Sequence, residues 1–329
     1  MKIVSVVARG NGANVLHSQL ACSSPLYTLR SINPWLAMTP GLPYWKIKNL
    51  LTESDLLHLI PEYGVLGLPA RKPTVFTFHN FYIDPEYVRQ AGHLRAIYYK
   101  SLMRASVQSS VKRASRITVV SRYLYNQVRE HLPLGNTAID LVYNGIDSEH
   151  FFPKPRSDAN EEFRLLFVGN PSKRKGFAML LALLDQLPAQ AKIYYTTGLR
   201  KSEPTSMHPQ LVPVPQTDYA HMPKLYQNCD ALLFPTLREG FGLAVAEAMA
   251  CGLPVISTNT SAIPELIDHN KGGILVQPDD TAGFLKAIQR LSRNHSLRAE
   301  MGAWNRERVI RDFQLSRMLN DYADVFSKC

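Results

Sequence analysis

Short apolar, β-branched runs alternate along the chain with longer stretches in which apolar residues recur every three or four positions. The first half holds the runs "KIVSVV", "TVFTFH" and "RITVVS"; the second holds "RLLFVG", "KIYYTTG", "ALLFPT" and "PVISTN". Such runs read as strands of a sheet covered on both faces. Helical spacing fills the intervals, as in "FAMLLALLDQLP" and "TAGFLKAIQRLSRN". Regular alternation of strand and helix predicts βαβ units and parallel sheets, an α/β architecture. The segment "YNGIDSEHFFPKPRSDANEEF" (143–163) is turn-rich, carries two prolines and ends polar, and reads as a linker. It divides the chain into two Rossmann-like domains, residues 1–145 and 146–307. The closing pattern "MGAWNRERVIRDFQLSRMLNDYADVFSKC" is helical, and periodicity alone does not say where it packs.

Composition adds class. The 329 residues are 45% hydrophobic and 19% charged, with no biased tract, ordinary for a globular chain with two cores. Cys22, Cys229, Cys251 and Cys329 form no pair at metal or redox spacing. That suits a reducing cytosol and argues against a disulfide framework or structural zinc. The run in "MKIVSVVARGNG" stops at Arg9, so a first strand is a better reading than a signal peptide. No apolar stretch approaches the roughly 18 residues that would span a bilayer. A soluble or peripheral protein is expected.

Charge is uneven. Residues 1–150 hold 16 Lys/Arg against 9 Asp/Glu, and from Arg89 to Arg129 there are nine basic residues and no acidic one. This predicts an anionic partner: nucleic acid, a phospholipid surface or a phosphorylated substrate. The plain alternative is a solvated helix face.

Two loops carry candidate chemistry. In "RLLFVGNPSKRKGFAMLLALLDQL" a strand ends at Gly169, a loop carries Lys173, Arg174 and Lys175, and a helix opens after Gly176. A strand–loop–helix junction presents free N–H groups and a positive helix end to anions, and the cations beside it suit a diphosphate. The loop matches neither the P-loop nor the G-x-G-x-x-G pattern. In "REGFGLAVAEAMACGLPV" (238–255), Gly240 and Gly242 allow a tight turn, and a helix follows from about Leu243 to Cys251, with Gly252 at its stop position. That helix is apolar on every side except at Glu247. A buried carboxylate needs partners, and vicinal hydroxyls supply them, as they do for the acidic residue of a dinucleotide fold. Glu239 sits at the end of the preceding strand, within reach of other hydroxyls. N–H groups near Gly242 and Leu243 would face a phosphate between the two contacts. The pattern suits a nucleoside diphosphate sugar.

At this point the sequence resembles the family-4 retaining glycosyltransferases of the two-domain GT-B fold. The resemblance rests on "FPTLREGFGLAVAEAMACGLPVISTN", a Glu–seven–Glu motif, on "NGID" followed by Phe152 and Pro153, and on "VGNPSKRKGF" as a phosphate loop. It is strong over about 140–280 and thin over 1–135. It implies two Rossmann-like domains with parallel sheets facing across a deep cleft, the helix over about 308–329 returning to the first. It also implies that Glu247 holds the ribose, that Lys175 with Lys173 and Gly169 serves the diphosphate, and that Glu239 with the backbone of Gly240, Phe241, Gly242 and Leu243 holds the sugar. His79 and Glu239 would be the catalytic pair, and the loop "GNGAN" (10–14) with Gly12 would approach the phosphates and acceptor. Two departures stand out: Asn170 replaces the arginine usual after the first glycine of the phosphate loop, and Asn80 replaces the acidic residue that commonly follows the histidine.

No Asp-x-Asp occurs, which disfavours the metal-dependent single-domain transferases, so a metal-independent reaction is expected with no cofactor beyond the nucleotide-sugar donor. The acceptor would be a glycan or a lipid-linked saccharide, and the location cytoplasmic, peripheral at the inner membrane face through 89–129. Two rivals remain open. One is a UDP-sugar epimerase of the same fold; the other is a non-catalytic binder of nucleotide sugar or nucleic acid, though no recognisable nucleic-acid motif is present.

Overall fold

The computed structural model describes residues 1–8, 12–33, 52–62, 72–85, 88, 92–154, 162–197 and 208–329. Gly10, Asn11 and Arg89 lie outside the described residues. The chain divides into two compact units, Met1–Gly145 with Ser316–Cys329, and Ile146–Leu315.

The first unit is built on a parallel sheet of β1 (Ile3–Ala8), β2 (Tyr27–Ile32), β3 (Leu56–Leu59), β4 (Thr74–Phe78), β5 (Arg116–Val119) and β6 (Ile139–Leu141), in the order β2-β1-β3-β4-β5-β6. The central strands β1, β3 and β4 are buried along their whole length, as strands covered on both faces must be. The second unit has β7 (Phe163–Phe167), β8 (Ala191–Thr196), β9 (Leu211–Val214), β10 (Ala231–Phe234), β11 (Val255–Thr258) and β12 (Gly273–Val276), in the order β12-β11-β10-β7-β8-β9. All its strands are parallel, with Ala231 opposite Leu165 and Leu232 opposite Leu166 where β10 meets β7. The first sheet winds outward from β1 and β3, and the second from its central pair. In the second unit that pair is β7 and β10, and the carboxyl ends of two such strands are where open α/β sheets bind ligands.

Local chemistry starts the helices. Ser121 accepts from the Leu124 N–H to open the helix Arg122–His131, Asp280 accepts from Gly283 to open Thr281–Arg293, and Asn294 accepts from Leu297 to open His295–Asp312. Each side chain satisfies a donor that the first turn leaves over.

Two sequence expectations need adjustment. Residues 143–154 are not a loose linker: Asn144, Ile146 and Phe151 are buried, and the Arg306 guanidinium donates to the carbonyls of Phe151 (2.7 Å) and Ser148 (3.0 Å). The closing helical pattern is two helices, His295–Asp312 in the second unit and Leu315–Ser327, almost all of it in the first. Between them the Ile146 N–H donates to the Phe313 carbonyl and the Leu315 N–H to the Ile146 carbonyl. These bonds pin the chain where it would otherwise continue as one helix, and residues 308–312 stay with the second unit.

Candidate functional site

The site in the second unit forms where β7 and β10 end. Beyond β7 the chain turns through Gly169, whose N–H donates to Thr196 Oγ1 at 2.9 Å. The loop then reaches Gly176, which caps the helix Phe177–Leu183 with φ of 75°. A Cβ there would lie 1.8 Å from the Pro235 carbonyl oxygen, so this position admits only glycine and the loop 169–176 lies directly on the end of β10. The Leu237 N–H donates to the Arg174 carbonyl at 2.8 Å, tying the two loops backbone to backbone.

That contact brings three charges together. Glu239, 8% exposed, accepts on one oxygen, Oε1, from Lys175 Nζ (2.7 Å), Thr236 Oγ1 (2.9 Å) and Arg174 Nη1 (3.1 Å). Arg174 also donates to the Arg238 carbonyl at 2.8 Å, and Lys175 Nζ stands 4.6 Å from the centroid of the Phe234 ring. Burial alone would raise the Glu239 carboxyl, but Lys175 and Arg174 hold it below the usual carboxylate range. Burial conversely draws the Lys175 ammonium below the ordinary lysine value, against the pull of Glu239. The Glu239 N–H donates to Ser261 Oγ at 2.9 Å, and Ser261 is held at φ of 51°, a conformation that non-glycine residues rarely adopt and that tends to occur at working sites.

Glu247 lies one turn into the helix Leu243–Ala250, which starts from Gly242 at φ of 106°. It is 6% exposed among Val245, Ala246, Ala248, Met249 and Ala250, all fully buried. The Tyr226 hydroxyl donates to its Oε2 at 2.7 Å. Burial pushes the carboxyl up to about 7, despite the opposing effects of that bond and of Lys175.

The structure thus gathers Gly169, Lys175, Glu239, Gly240, Gly242, Leu243 and Glu247 on adjoining loops and one helix of the same unit. Phe241 is buried and packs its ring on Phe313, 5.8 Å between centroids. Lys173 is exposed, whereas Arg174, its neighbour in the same basic run, joins the cluster. Tyr226, Thr236 and Ser261 were missed as well. Thr236 stands in the quoted motif without any pattern that marks it, and the signal of Tyr226 and Ser261 is purely three-dimensional. Among the described residues no group of three His, Cys, Asp or Glu could hold a metal ion.

The remaining candidates lie in the first unit. Gly12 is the exposed first residue of the helix Gly12–Ser23. His79 follows β4, with its Nε2 3.2 Å from Nε2 of His17, and burial brings it down to about 3.

Comparison with known proteins decides the family. The model described as "Glycosyltransferase Family 4" matches residues 4–150, and that described as "Glycosyl transferases group 1" matches residues 162–294. The chain belongs to the family 4, group 1 glycosyltransferases. It is 26% identical over 241 residues to the N-acetyl-alpha-D-glucosaminyl L-malate synthase of Bacillus anthracis, covering 67% of this chain and 61% of that protein. In two other curated relatives the matched stretch spans only 54% and 44% of the relative's own length. Among solved structures, sucrose-phosphate synthase from Thermosynechococcus elongatus superposes with a TM-score of 0.82 at 18% identity, covering 100% of this chain and 99% of that one. Anabaena HepE, solved in complex with UDP and glucose, gives 0.77 at 16% identity with 100% coverage of both. The fold is GT-B, two units each with a six-stranded parallel sheet. No helix among the described residues is long and apolar enough to cross a membrane.

Proposed function

We propose that this family member transfers a sugar of the mannose, glucose or N-acetylhexosamine type from a nucleoside diphosphate sugar to a hydroxyl of a glycan or lipid-linked acceptor. The anomeric configuration would be retained, without a metal, in the synthesis of cell-surface polysaccharide or lipopolysaccharide. The observation that carries this reading is the meeting of Lys175, Arg174 and Glu239 at the ends of β7 and β10, with Glu247 on the helix that follows. In this reading Lys175 and Arg174 stabilise the charge that develops on the leaving diphosphate. Arg174 supplies the cation that Asn170 does not. Glu247 receives the ribose hydroxyls, Glu239 and the turn Gly240–Gly242 orient the sugar, and His79 contacts it from the first unit. The binding of UDP and glucose by HepE supports a nucleotide-sugar ligand.

The basic segment fits a peripheral station at the inner face of the membrane. Leu94, Ile97 and Leu102 are 84%, 59% and 44% exposed, beside the exposed Arg95, Lys100 and Arg104. Apolar side chains interleaved with cations suit an anionic leaflet.

The test is a thermal-shift screen of UDP-, GDP-, ADP- and dTDP-sugars, repeated on Glu247→Ala. One of them should stabilise the wild type and lose its effect in the variant. No stabilisation by any would end the donor-site reading, and sugar epimerisation in the absence of an acceptor would replace transfer by an epimerase.

A further inference from the structure

A polar chain runs through the core of the first unit and ends at His79. Ser5 in β1, His17 in the helix Gly12–Ser23, His58 in β3, and Thr77 and Thr118 in β4 and β5 are all fully buried. Ser5 Oγ lies 2.8 Å from His17 Nδ1, and the Tyr27 hydroxyl lies 2.7 Å from that same nitrogen. The Tyr27 oxygen is also 2.6 Å from His58 Nδ1. His58 Nε2 is 2.6 Å from Thr77 Oγ1, which in turn lies 2.5 Å from Thr118 Oγ1. At its outer end the chain reaches His79, through the contact of 3.2 Å between two Nε2 atoms. Burial first, and then the neighbouring imidazoles, hold His17 and His58 well below the usual histidine range, so with His79 all three rings are neutral near pH 7.

A neutral imidazole carries one N–H and one acceptor nitrogen. A hydrogen bond between two Nε2 atoms needs a proton on one of them and a lone pair on the other. The tautomers of His17 and His79 are therefore complementary, and whichever His17 adopts dictates that of His79. The tautomer of His17 is decided at its Nδ1, where two hydroxyl groups converge.

We propose that His17 is a positioning residue for His79: the Tyr27 hydroxyl donates to its Nδ1, its Nε2–H donates to His79 Nε2, and His79 is thereby fixed with its proton on Nδ1. The rest of the chain agrees with this direction. With Tyr27 donating to His17, His58 Nδ1–H donates to the Tyr27 oxygen, His58 Nε2 accepts from Thr77, and Thr77 accepts from Thr118. The hydroxyl protons of Thr118, Thr77 and Tyr27 then point along the chain toward His79, and no proton changes its owner. A ligand meeting His79 at Nδ1 finds a hydrogen-bond donor held in one ring orientation. This use of the relay rests on the reading of His79 as a sugar contact; the tautomer itself does not.

Long-range proton–nitrogen NMR of the protein labelled with 15N-histidine tests the assignment without any substrate. His79 should show a protonated Nδ1 and a bare Nε2, and His17 the reverse. A protonated Nε2 on His79 overturns the proposal. His17→Leu removes the constraint, and the folded variant should show both tautomers of His79 in exchange. Tyr27→Phe, which keeps the ring and deletes the hydroxyl, is the second variant and should shift the same populations. A single, unchanged Nδ1–H form of His79 in the folded variants also overturns it. Failure of every nucleotide sugar to bind would end the transferase reading and leave these spectra as they are, so the two failures are distinguishable.

Discussion

Glu247 gives the sharpest quantitative prediction. Its carboxyl is pushed from 4.5 to about 7 because it is buried on an apolar helix. Each tenfold change in proton affinity is worth about 1.4 kcal/mol, so the difference between the folded and unfolded carboxyl amounts to about 3 kcal/mol. Proton counting gives the sign. Between pH 4.5 and about 7 the folded protein keeps a proton that the unfolded chain has released, so stability falls as pH rises through this window. Glu247→Gln keeps the shape and an oxygen to accept from Tyr226, and it cannot titrate. Denaturant unfolding of the second unit should therefore show wild type losing up to about 3 kcal/mol relative to Glu247→Gln between about pH 4 and about pH 8. Ligand binding should run the other way, because ribose hydroxyls donate best to an ionised carboxylate. The stabilisation by a nucleotide sugar should grow as pH rises through about 7 and be flat in Glu247→Gln. Parallel pH slopes of wild type and variant would refute the placement of a titrating, desolvated carboxyl at this position.

Three further outcomes follow from the same geometry. Gly176→Ala forces a Cβ onto the Pro235 carbonyl at 1.8 Å, so it should lower stability by about 2 kcal/mol or more and separate the phosphate loop from β10, which calorimetry and donor titration would read. Lys175→Ala leaves Glu239 with Arg174 and Thr236 only; a cost of about 2–3 kcal/mol and loss of nucleoside diphosphate binding are expected, whereas the double variant with Glu239→Gln should regain part of the stability. Replacing Leu94 and Ile97 by serine should reduce co-sedimentation with anionic liposomes without changing donor binding. Equal sedimentation on neutral and anionic vesicles would remove the membrane reading.

Much of the fold was legible because the central strands are apolar on both faces. The central pair of the second sheet, β7 with β10, and the neighbouring β11 are legible in "RLLFVG", "ALLFPT" and "PVISTN". The strands that escaped are mostly edges: β2, β6, β9 and β12 close the two sheets. Edge strands need only one buried face, so β2 and β9 carry exposed positions, and β9 includes Pro213. The fifth, β3, is central, but His58 interrupts its apolar run. In the linker, turn residues mark a change of direction and say nothing of packing: Phe151 is buried there and its carbonyl accepts from Arg306. At the site, Glu247 is visible because it breaks the apolar pattern of its helix, and Glu239 because it stands after a strand end with seven residues between it and Glu247. Arg174 was not distinguishable from Lys173 in "KRK", since only the approach of the loop to β10 decides which cation turns inward.

The two glutamates end with opposite electrostatics from one residue type, and their partners explain the split. Glu239 has two cations and a hydroxyl on a single oxygen and is held below the usual carboxylate range. Glu247 has one phenol and is pushed to about 7. Around neutrality Glu239 is thus a fixed anion whose charge keeps Lys175 and Arg174 converged, and the cluster of two cations and one anion retains one net positive charge. Because Lys175 is buried, its own pKa would fall further without Glu239. The carboxylate therefore maintains the charge of the cation it contacts. On the proposed reading, that arrangement would give a diphosphate a preorganised positive centre in a setting where an isolated lysine is costly to keep ionised. Neither glutamate then needs to be a proton-transfer residue: one maintains the charge on its neighbours, and the other presents a hydrogen-bonding carboxyl whose affinity for hydroxyls changes with its ionisation.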